Sequence, residues 1–225
     1  MRFMLATGNA HKLEEFRSIL ASCPVMPMPP GAELPPEGVE SFAENAAGKA
    51  VALAQLIAGD PAQVALLGGS APAGCDWRDE VLFLADDSGL EVEALGWAPG
   101  VTSARYAGVE GPGADAANVA RLLRELAGCA GPAARRARFV CSVVAVTPRM
   151  AHYPATGYWW GAIAEAPRGE GGFGYDPVFV PEGSDLTVAE WPQADKDQAS
   201  HRALAGTALL ERLRQEGLLD GDRGA

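Results

Sequence analysis

Two adjacent acidic residues, Asp86 and Asp87, directly follow the apolar run "VLFLA" (81–85). Neighbouring carboxylates repel each other, so a cation close to both is expected to lower that cost. Mg²⁺ is a suitable cation, because it prefers carboxylate oxygens together with phosphate oxygens. The two aspartates are predicted to end the strand and to enter a turn at Ser88 and Gly89. The alternative to a metal site is a structural Asx turn at this strand end. Such a turn uses the side chain of one aspartate, so it explains the presence of one of them well and of both poorly.

Two cations occupy positions that the start of a helix disfavours. "ATGNAHKLEEF" (6–16) predicts a turn followed by a helix with Lys12 in its first turn, and "SHRALA" (200–205) places Arg202 in the first turn of another helix. Backbone N–H groups make that end of a helix positive, which disfavours cations and attracts anions. Two such starts indicate a shared anionic or carbonyl-bearing ligand. For the first of them, ordinary capping by Asn9 with a solvated lysine is the alternative.

The stretch "ELPPEGVESFAENAAGKA" contains a further acidic candidate and a further lysine. Glu44 fits an S-x-x-E capping box, so it already has a structural task. Glu37, in the loop before the helix, has none and is the better candidate metal ligand. Lys49 follows Asn45 by four residues and shares its helix face. Lys49 either points into a cleft or is solvated.

A glycine-rich stretch, "RGEGGFGYDPVF" (168–179), places four glycines around Phe173. Glycines let the backbone approach a ligand closely, and an exposed aromatic ring suits stacking on a nucleobase. Asp176 precedes Pro177, which keeps it extended and fixes the direction of its carboxylate. The alternative is a mobile glycine loop that is merely anchored by the phenylalanine.

The elements that must position these residues alternate between strands and helices, which predicts an α/β fold. Hydrophobic spacing predicts helices over 10–21, 42–57, 114–127 and 200–216, and strands over 2–6, 25–30, 81–85, 138–146, 157–166 and 178–180. The continuous apolar run in 138–146 is typical of a central strand covered on both faces. Within a single domain over 1–225, the expected irregular segments are the loop 94–113, a surface insertion at 59–79 and a flexible tail at 217–225.

Composition excludes several classes of protein. The net charge of −11 argues against a general binder of nucleic acid or of acidic membranes, which needs a basic surface. The four cysteines include no C-x-x-C pair, so a zinc site is not expected, and we predict a reduced, cytoplasmic protein. The N-terminal apolar stretch is too short for a signal-peptide core, and no run approaches the roughly 20 apolar residues that span a membrane.

Five motifs in this order closely resemble the inosine triphosphate pyrophosphatase family: "TGNAHK", "SFAENAAGKA", "DDSGLEVEALGWAPGVTSARYAG", "GGFGYDPVF" and "SHRALA". They extend over nearly the whole chain. The resemblance implies an elongated α/β structure with two lobes around a long mixed sheet, an active site in the cleft between the lobes, and a homodimer. It also implies Mg²⁺-dependent hydrolysis of deaminated purine nucleoside triphosphates (ITP, dITP, XTP) to the monophosphate and pyrophosphate, with neither a nucleic acid nor a membrane as partner.

Carried over motif by motif, the resemblance makes Asp87 the proton acceptor for the attacking water. It makes Asp87, Asp86 and Glu37 the ligands of one or more Mg²⁺ ions per subunit. The implied substrate-binding residues are Thr7, Gly8, Asn9, Ala10, His11, Lys12 and Lys49 at the phosphates, Ser88 elsewhere on the substrate, Phe173 (stacked on the purine), Gly174, Tyr175 and Asp176 at the base and sugar, and Lys196, His201 and Arg202 near the 6-oxygen of the base.

The sequence departs from the family at Trp97, where "ALGGAPG" usually has a second glycine, and a bulky ring there is expected to alter a loop or a dimer contact. Two other functions stay open. One is a nucleotide sensor with the same pocket and no turnover, against which the paired acids argue. The other is a pyrophosphatase acting on pyrimidine or methylated nucleotides, against which the glycine-rich and Ser-His-Arg stretches argue.

Overall fold

The structure is a computed structural model that describes residues 1–60 and 80–219. The segment 59–79, expected to be a surface insertion, lies almost entirely outside the described residues, and most of the expected tail, 217–225, lies outside them too. Strands and helices alternate along the described chain, so the α/β prediction is confirmed.

The described residues form six strands and six α-helices. The strands are β1 (Arg2–Leu5), β2 (Val25–Pro27), β3 (Val81–Val92), β4 (Arg136–Val146), β5 (His152–Ile163) and β6 (Phe179–Pro181). The helices are α1 (Ala10–Ile19), α2 (Phe42–Gly59), α3 (Ala114–Glu125), α4 (Gly131–Ala134), α5 (Gln193–Ala199) and α6 (His201–Gln215). The strands form one sheet in the order β2-β1-β3-β4-β5-β6. The sheet is mixed, because β1 is parallel to β2 and β3 whereas β5 and β6 are antiparallel.

The chain divides into two compact units. Unit 1 comprises the described parts of Met1–Asp87, Ser142–Gly157 and Arg202–Ala225, and unit 2 comprises Ser88–Cys141 and Tyr158–His201. Each unit has its own hydrophobic core and its own group of predicted site residues.

The core of unit 1 forms around α2. This helix begins where the Ser41 hydroxyl accepts a hydrogen bond from the backbone N–H of Glu44 at 3.1 Å. Its apolar face is fully buried and includes Leu53 and Ile57, whose burial stabilises the fold by roughly 1.5–3 kcal/mol each. The strand residues in this core are Met4, Val81, Phe83, Ala85, Val144 and Val146. The same helix therefore holds Asn45 and Lys49 in fixed positions.

The core of unit 2 is rich in aromatic residues. Phe179 packs against Phe139 with ring centroids 4.6 Å apart and against Trp159 at 5.5 Å. Helix α3 contributes Val119 and Leu122 to this core. The aromatic rings and α3 give unit 2 a rigid frame for the glycine-rich stretch.

The prediction that a strand ends at residue 85 is wrong, because β3 continues from Val81 to Val92. The predicted turn at Ser88 and Gly89 is wrong for the same reason, and so is the alternative of an Asx turn at this strand end. Residues 86–89 are of turn-forming types, but tertiary packing overrides that local preference. Leu84 before them and Leu90 after them are both completely buried, which keeps the chain extended. As a result, Asp86 and Asp87 lie inside a strand rather than on a mobile turn.

Smaller differences concern short elements. The expected loop 94–113 contains a 3₁₀ segment at Gly100–Arg105, and the short helices α4 and α5 were not predicted. Strand β5 begins at His152, five residues before its predicted start. The prediction for β4 is confirmed, since nearly all of its residues are buried. Among the described residues, no helix is both long enough and apolar enough to cross a membrane.

Gly161 in β5 leaves no space for a side chain. A Cβ atom there would collide with the backbone oxygen of Val180 and would lie 2.8 Å from Cζ of Phe179. We expect Gly161→Ala to lower the free energy of unfolding by about 1–3 kcal/mol, as overpacking usually does. Urea denaturation measures the change, with Gly128→Ala as the control, because a Cβ at Gly128 would meet nothing within 4 Å. Equal stability of the two variants would contradict this account.

Candidate active site

The start of α1 combines a cap with a buried lysine. The side-chain oxygen of Asn9 accepts hydrogen bonds from the backbone N–H of His11 at 2.9 Å and of Lys12 at 3.4 Å, so capping by Asn9 is confirmed. Lys12 is not solvated, however, because its side chain is only 16% exposed and donates to both carboxylate oxygens of Asp86, at 2.9 and 3.1 Å. The position of Lys12 at the start of α1 predicted an anionic ligand, and in the structure the carboxylate of Asp86 is one anion that Lys12 binds.

Asp86 is held as a carboxylate by cations on several sides. Its side chain is 1% exposed, and besides Lys12 it has the Nε of Arg202 at 3.6 Å from Oδ2. Burial alone would raise the pKa of Asp86, but the positive charges of Lys12, Arg202 and Lys49 outweigh it and hold that pKa well below its usual range. Asp86 therefore stays charged at any pH at which the protein is expected to work.

Asp87 has a different environment although it is the next residue. Asn45 donates to its Oδ2 at 2.7 Å, and the Nζ of Lys49 lies 3.7 Å from its Oδ1. Burial raises the pKa of Asp87, and the negative charge of Glu37 adds to that effect, while Lys49 and Asn45 oppose it in part. Asn45 is itself oriented, because its Oδ1 accepts from the backbone N–H of Gly38 at 2.8 Å.

Lys49 lies between the carboxylates of two different elements. Its Nζ donates to Oε1 of Glu37 at 2.9 Å. Burial alone would lower the pKa of Lys49, but the charges of Asp86, Asp87 and Glu37 outweigh it and raise that pKa. Of the two possibilities for Lys49, the structure supports the inward-pointing side chain, because it is only 9% exposed.

Arg202 has a buried acidic partner that sequence reasoning missed. Its Nη1 donates to Oε2 of Glu15 at 2.9 Å, and both side chains are less than a tenth exposed. Glu15 follows Lys12 by three residues, so the two share a face of α1. That spacing was the available signal. The predicted contact of Arg202 with a base stays a prediction.

In unit 2, the predicted base-binding residues surround Phe173. Lys196 donates to Oδ2 of Asp176 at 2.6 Å, and its Nζ lies 4.3 Å from the centroid of the Phe173 ring. Oδ2 of Asp176 also accepts from the backbone N–H of Phe173 at 2.9 Å. A Cβ at Gly172 would collide with the Asp176 carboxylate, so only glycine fits beside this contact.

Tyr175 and His201 are buried in unit 2. The Tyr175 hydroxyl donates to the backbone oxygen of Ser103 at 2.8 Å, and burial raises its pKa well above the usual value. His201 stacks on Phe139, with ring centroids 4.8 Å apart. These contacts give both residues a structural task, and their contact with a substrate stays a prediction.

The structure therefore brings the predicted residues together in two groups. The group in unit 1 consists of Lys12, Glu37, Lys49, Asp86, Asp87 and Arg202, and the group in unit 2 consists of Phe173, Tyr175, Asp176 and Lys196. The remaining predicted positions lie at the edges of these groups: Thr7, Gly8, Asn9, Ala10 and His11 at the start of α1, Ser88 half-buried on β3, Gly174 next to Phe173, and His201 at the start of α6. Within residues 1–60 and 80–219, no three His, Cys, Asp or Glu side chains are already arranged to hold a metal ion.

The two aspartates are suited to different chemical tasks. Environments that push the pKa values of neighbouring carboxyl groups apart are typical of acid–base sites. Asp86 is a permanent anion that fixes Lys12 and Arg202. Asp87 is less completely neutralised, which suits a group that accepts a proton. Lysines next to these acids could bind an anionic substrate.

A mixed sheet with two adjacent buried aspartates and two buried lysines is typical of an α/β enzyme that acts on phosphate-bearing substrates. The sequence model of the Ham1 family matches residues 3–212, and the chain belongs to that family. The resemblance drawn from the five motifs is thereby confirmed.

Named relatives and solved structures agree with this assignment. A Ralstonia nicotianae protein named dITP/XTP pyrophosphatase is 44% identical over 219 residues, which cover 95% of this chain and 96% of that protein. The solved structure of a HAM1 protein from Coxiella burnetii has a TM-score of 0.75 at 32% identity and covers 96% of this chain and 99% of its own. A Mycobacterium abscessus structure described as a nucleoside-triphosphatase, dITP/XTP pyrophosphatase, has a TM-score of 0.66 at 37% identity, covering 93% and 99%.

Proposed function

We propose that this chain is a Mg²⁺-dependent nucleoside triphosphate pyrophosphatase. Its substrates are deaminated purine nucleotides (ITP, dITP and XTP), which it hydrolyses to the monophosphate and pyrophosphate and so removes from the nucleotide pool. The names of its relatives support the class of reaction. The observation that carries the proposal is the geometry of the adjacent pair: Asp86 accepts hydrogen bonds from Lys12 at both carboxylate oxygens, whereas Asp87 accepts from Asn45 and lies beside Lys49.

The donor set in unit 1 fits a magnesium ion. Asp87 and Glu37 both approach the Lys49 ammonium, so their carboxylates already converge on a positive charge. Mg²⁺ is usually held by one or two carboxylates together with water and substrate phosphates. We assign Asp87 and Glu37 as ligands. Asp86, whose carboxylate pairs with Lys12, would be the third ligand. Bound Mg²⁺ supplies positive charge to the phosphate oxygens.

The residues of unit 1 perform the remaining tasks of phosphate hydrolysis. Such reactions depend on positioning and on charge stabilisation more than on covalent chemistry by the protein. Lys12 and Lys49 bind phosphate oxygens, and the positive end of the α1 dipole attracts the same anions. Asp87 accepts the proton of the water whose oxygen attacks phosphorus, which breaks the anhydride bond between the α- and β-phosphates and releases pyrophosphate. Asn45 holds the Asp87 carboxylate in the direction that this step requires.

The base is recognised by residues of unit 2 and by donors at the start of α6. Phe173 stacks on the purine, and Lys196, His201 and Arg202 donate to the 6-oxygen. Adenine carries an amine at this position and would leave such donors unpaired, which discriminates strongly. The pairing of Lys196 with Asp176 and of Arg202 with Glu15 supports this assignment, because it holds both buried donor groups in fixed positions.

Pyrophosphate release from ITP, dITP and XTP, with GTP, ATP and UTP as controls, tests the proposal. We expect release from the three deaminated purine nucleotides in the presence of Mg²⁺ and its loss after chelation. ITP binding without release from any triphosphate would favour the sensor. Preferred release from UTP or another pyrimidine triphosphate would favour the pyrimidine enzyme.

We also propose that the chain acts as one domain and as a cytoplasmic homodimer. The family resemblance supports this assembly, and the small number of cysteines agrees with a reducing compartment. Light scattering on the purified protein tests the dimer. A monomer at micromolar concentration that retains full activity would contradict it.

A further inference from the structure

We propose that Asp115 is a positioning residue for Phe173 and that it thereby adjusts recognition of the purine base. The segment concerned is the glycine loop, defined as residues 169–174. This inference rests on the proposed function, because that function assigns the Phe173 ring to base stacking. Asp115 belongs to none of the five motifs.

Two carboxylates hold the glycine loop on either side of the Phe173 side chain. The backbone N–H of Gly174 donates to Oδ2 of Asp115 at 2.8 Å, and the N–H of Phe173 donates to Oδ2 of Asp176 at 2.9 Å. Gly174 has a φ of +61°, a conformation that glycine adopts easily and leaves easily. The contact with Asp115 therefore fixes a peptide whose own conformational preference is weak.

Helix α3 offers the Asp115 carboxylate from a fixed position. Asn118, one turn further along, donates to the backbone oxygen of Ala104 at 3.0 Å and accepts from the N–H of Ala107 at 2.7 Å. Its side chain is almost fully buried, and Leu122 of the same helix is completely buried in the core of unit 2. Because α3 is anchored in this way, the Asp115 carboxylate has a fixed position and holds the exposed glycine loop at Gly174.

The position of the Phe173 ring depends on this anchoring. The Lys196 ammonium lies over the ring and donates a hydrogen bond to Asp176, which fixes its position. If Gly174 loses its partner on α3, the peptide after Phe173 can rotate, and the ring can leave its place against Lys196. Base stacking weakens in that case, whereas the phosphate-binding residues of unit 1 keep their contacts.

Asp115 also has an ordinary structural explanation. It lies in the first turn of α3, where a negative charge favours the positive end of the helix. The two explanations differ in what asparagine does at this position. Asparagine keeps an oxygen that can accept the Gly174 hydrogen bond, but it removes the charge.

The test compares Asp115→Ala and Asp115→Asn with the control Glu110→Ala, which removes an exposed negative charge five residues earlier. Steady-state kinetics with ITP and inhibition by inorganic triphosphate, which has no base, are measured for each. We expect Asp115→Ala to raise KM for ITP about tenfold, the upper part of the range for the loss of one hydrogen bond, with kcat within about twofold. Inhibition by inorganic triphosphate should not change. The Asp115→Asn variant should have a KM for ITP close to that of the wild type.

A double-mutant cycle with Phe173→Ala makes the test independent of overall stability. Asp115→Ala should add no further increase in KM when Phe173 is already removed, since both changes act on one contact. Additive effects, an unchanged KM in Asp115→Ala, or an asparagine variant as impaired as the alanine variant would each overturn the inference. If the wild-type protein releases no pyrophosphate from ITP, the proposed function itself fails, which is a different outcome from an active enzyme that is indifferent to Asp115.

Discussion

Replacing Asp87 with asparagine is expected to reduce pyrophosphate release from ITP by about 10²- to 10⁴-fold, the usual contribution of a general base. The amide cannot accept the proton of the attacking water. Its oxygen can still accept the hydrogen bond that Asn45 donates to Asp87 at 2.7 Å, so the local structure should persist. Steady-state pyrophosphate release measures the loss, and calorimetry with ITP should show that binding is retained.

The same variant should be more stable than the wild type when no divalent metal is present. Burial raises the pKa of Asp87, which means that its ionised form is less favourable in the folded than in the unfolded protein. Above both pKa values, asparagine removes this cost, so the melting temperature in chelator should rise. Glu44→Gln is the control, because Glu44 is an exposed acid at the start of α2. An Asp87→Asn variant with nearly full activity would exclude Asp87 as the proton acceptor.

Helices with local signals could be predicted closely from the sequence. Helix α2 was expected over 42–57 and extends over Phe42–Gly59, because Ser41 provides a cap and the apolar residues recur at helical spacing. Helix α1 was expected over 10–21 and ends at Ile19, with Asn9 as its cap. In both helices the information is contained in neighbouring residues, which is why the sequence alone was sufficient.

The course of β3 could not be predicted in the same way. Asp86, Asp87, Ser88 and Gly89 are all turn-forming types, and local preference favoured a turn. The strand continues because the residues before and after them are buried in the cores of the two units. That burial depends on residues distant in the sequence, so a local pattern carried no information about it.

The identities of the site residues were easier to predict than their partners. The pair of acids, the two lysines and the glycine-rich stretch stood out because their residue types are unusual at those positions. Glu15 and Asp115 did not stand out, since an acidic residue in the first turns of a helix is common. Their tasks depend on Arg202, 187 residues away, and on Gly174, 59 residues away.

Replacing Asp86 with asparagine is expected to destabilise the protein by about 3 kcal/mol near pH 7, the usual cost of breaking a buried ion pair by removing one partner. Lys12 loses its partner, since it donates to both oxygens of Asp86, and Arg202 loses a nearby negative charge. Urea denaturation of the wild type and the variant measures the difference.

The difference in free energy of unfolding between the wild type and Asp86→Asn should depend on pH, which would identify the charge of Asp86 as its cause. The pKa of Asp86 is lowered in the folded state, so its contribution is complete above the unfolded value of about 4 and is lost as the pH falls toward the folded value. The gap between wild type and Asp86→Asn should therefore shrink below about pH 4. Glu14→Gln is the control, because Glu14 forms an exposed pair with Arg17 and such pairs contribute about 0–1 kcal/mol. A gap that stays constant down to about pH 3 would mean that Asp86 stabilises the fold through packing rather than through its charge.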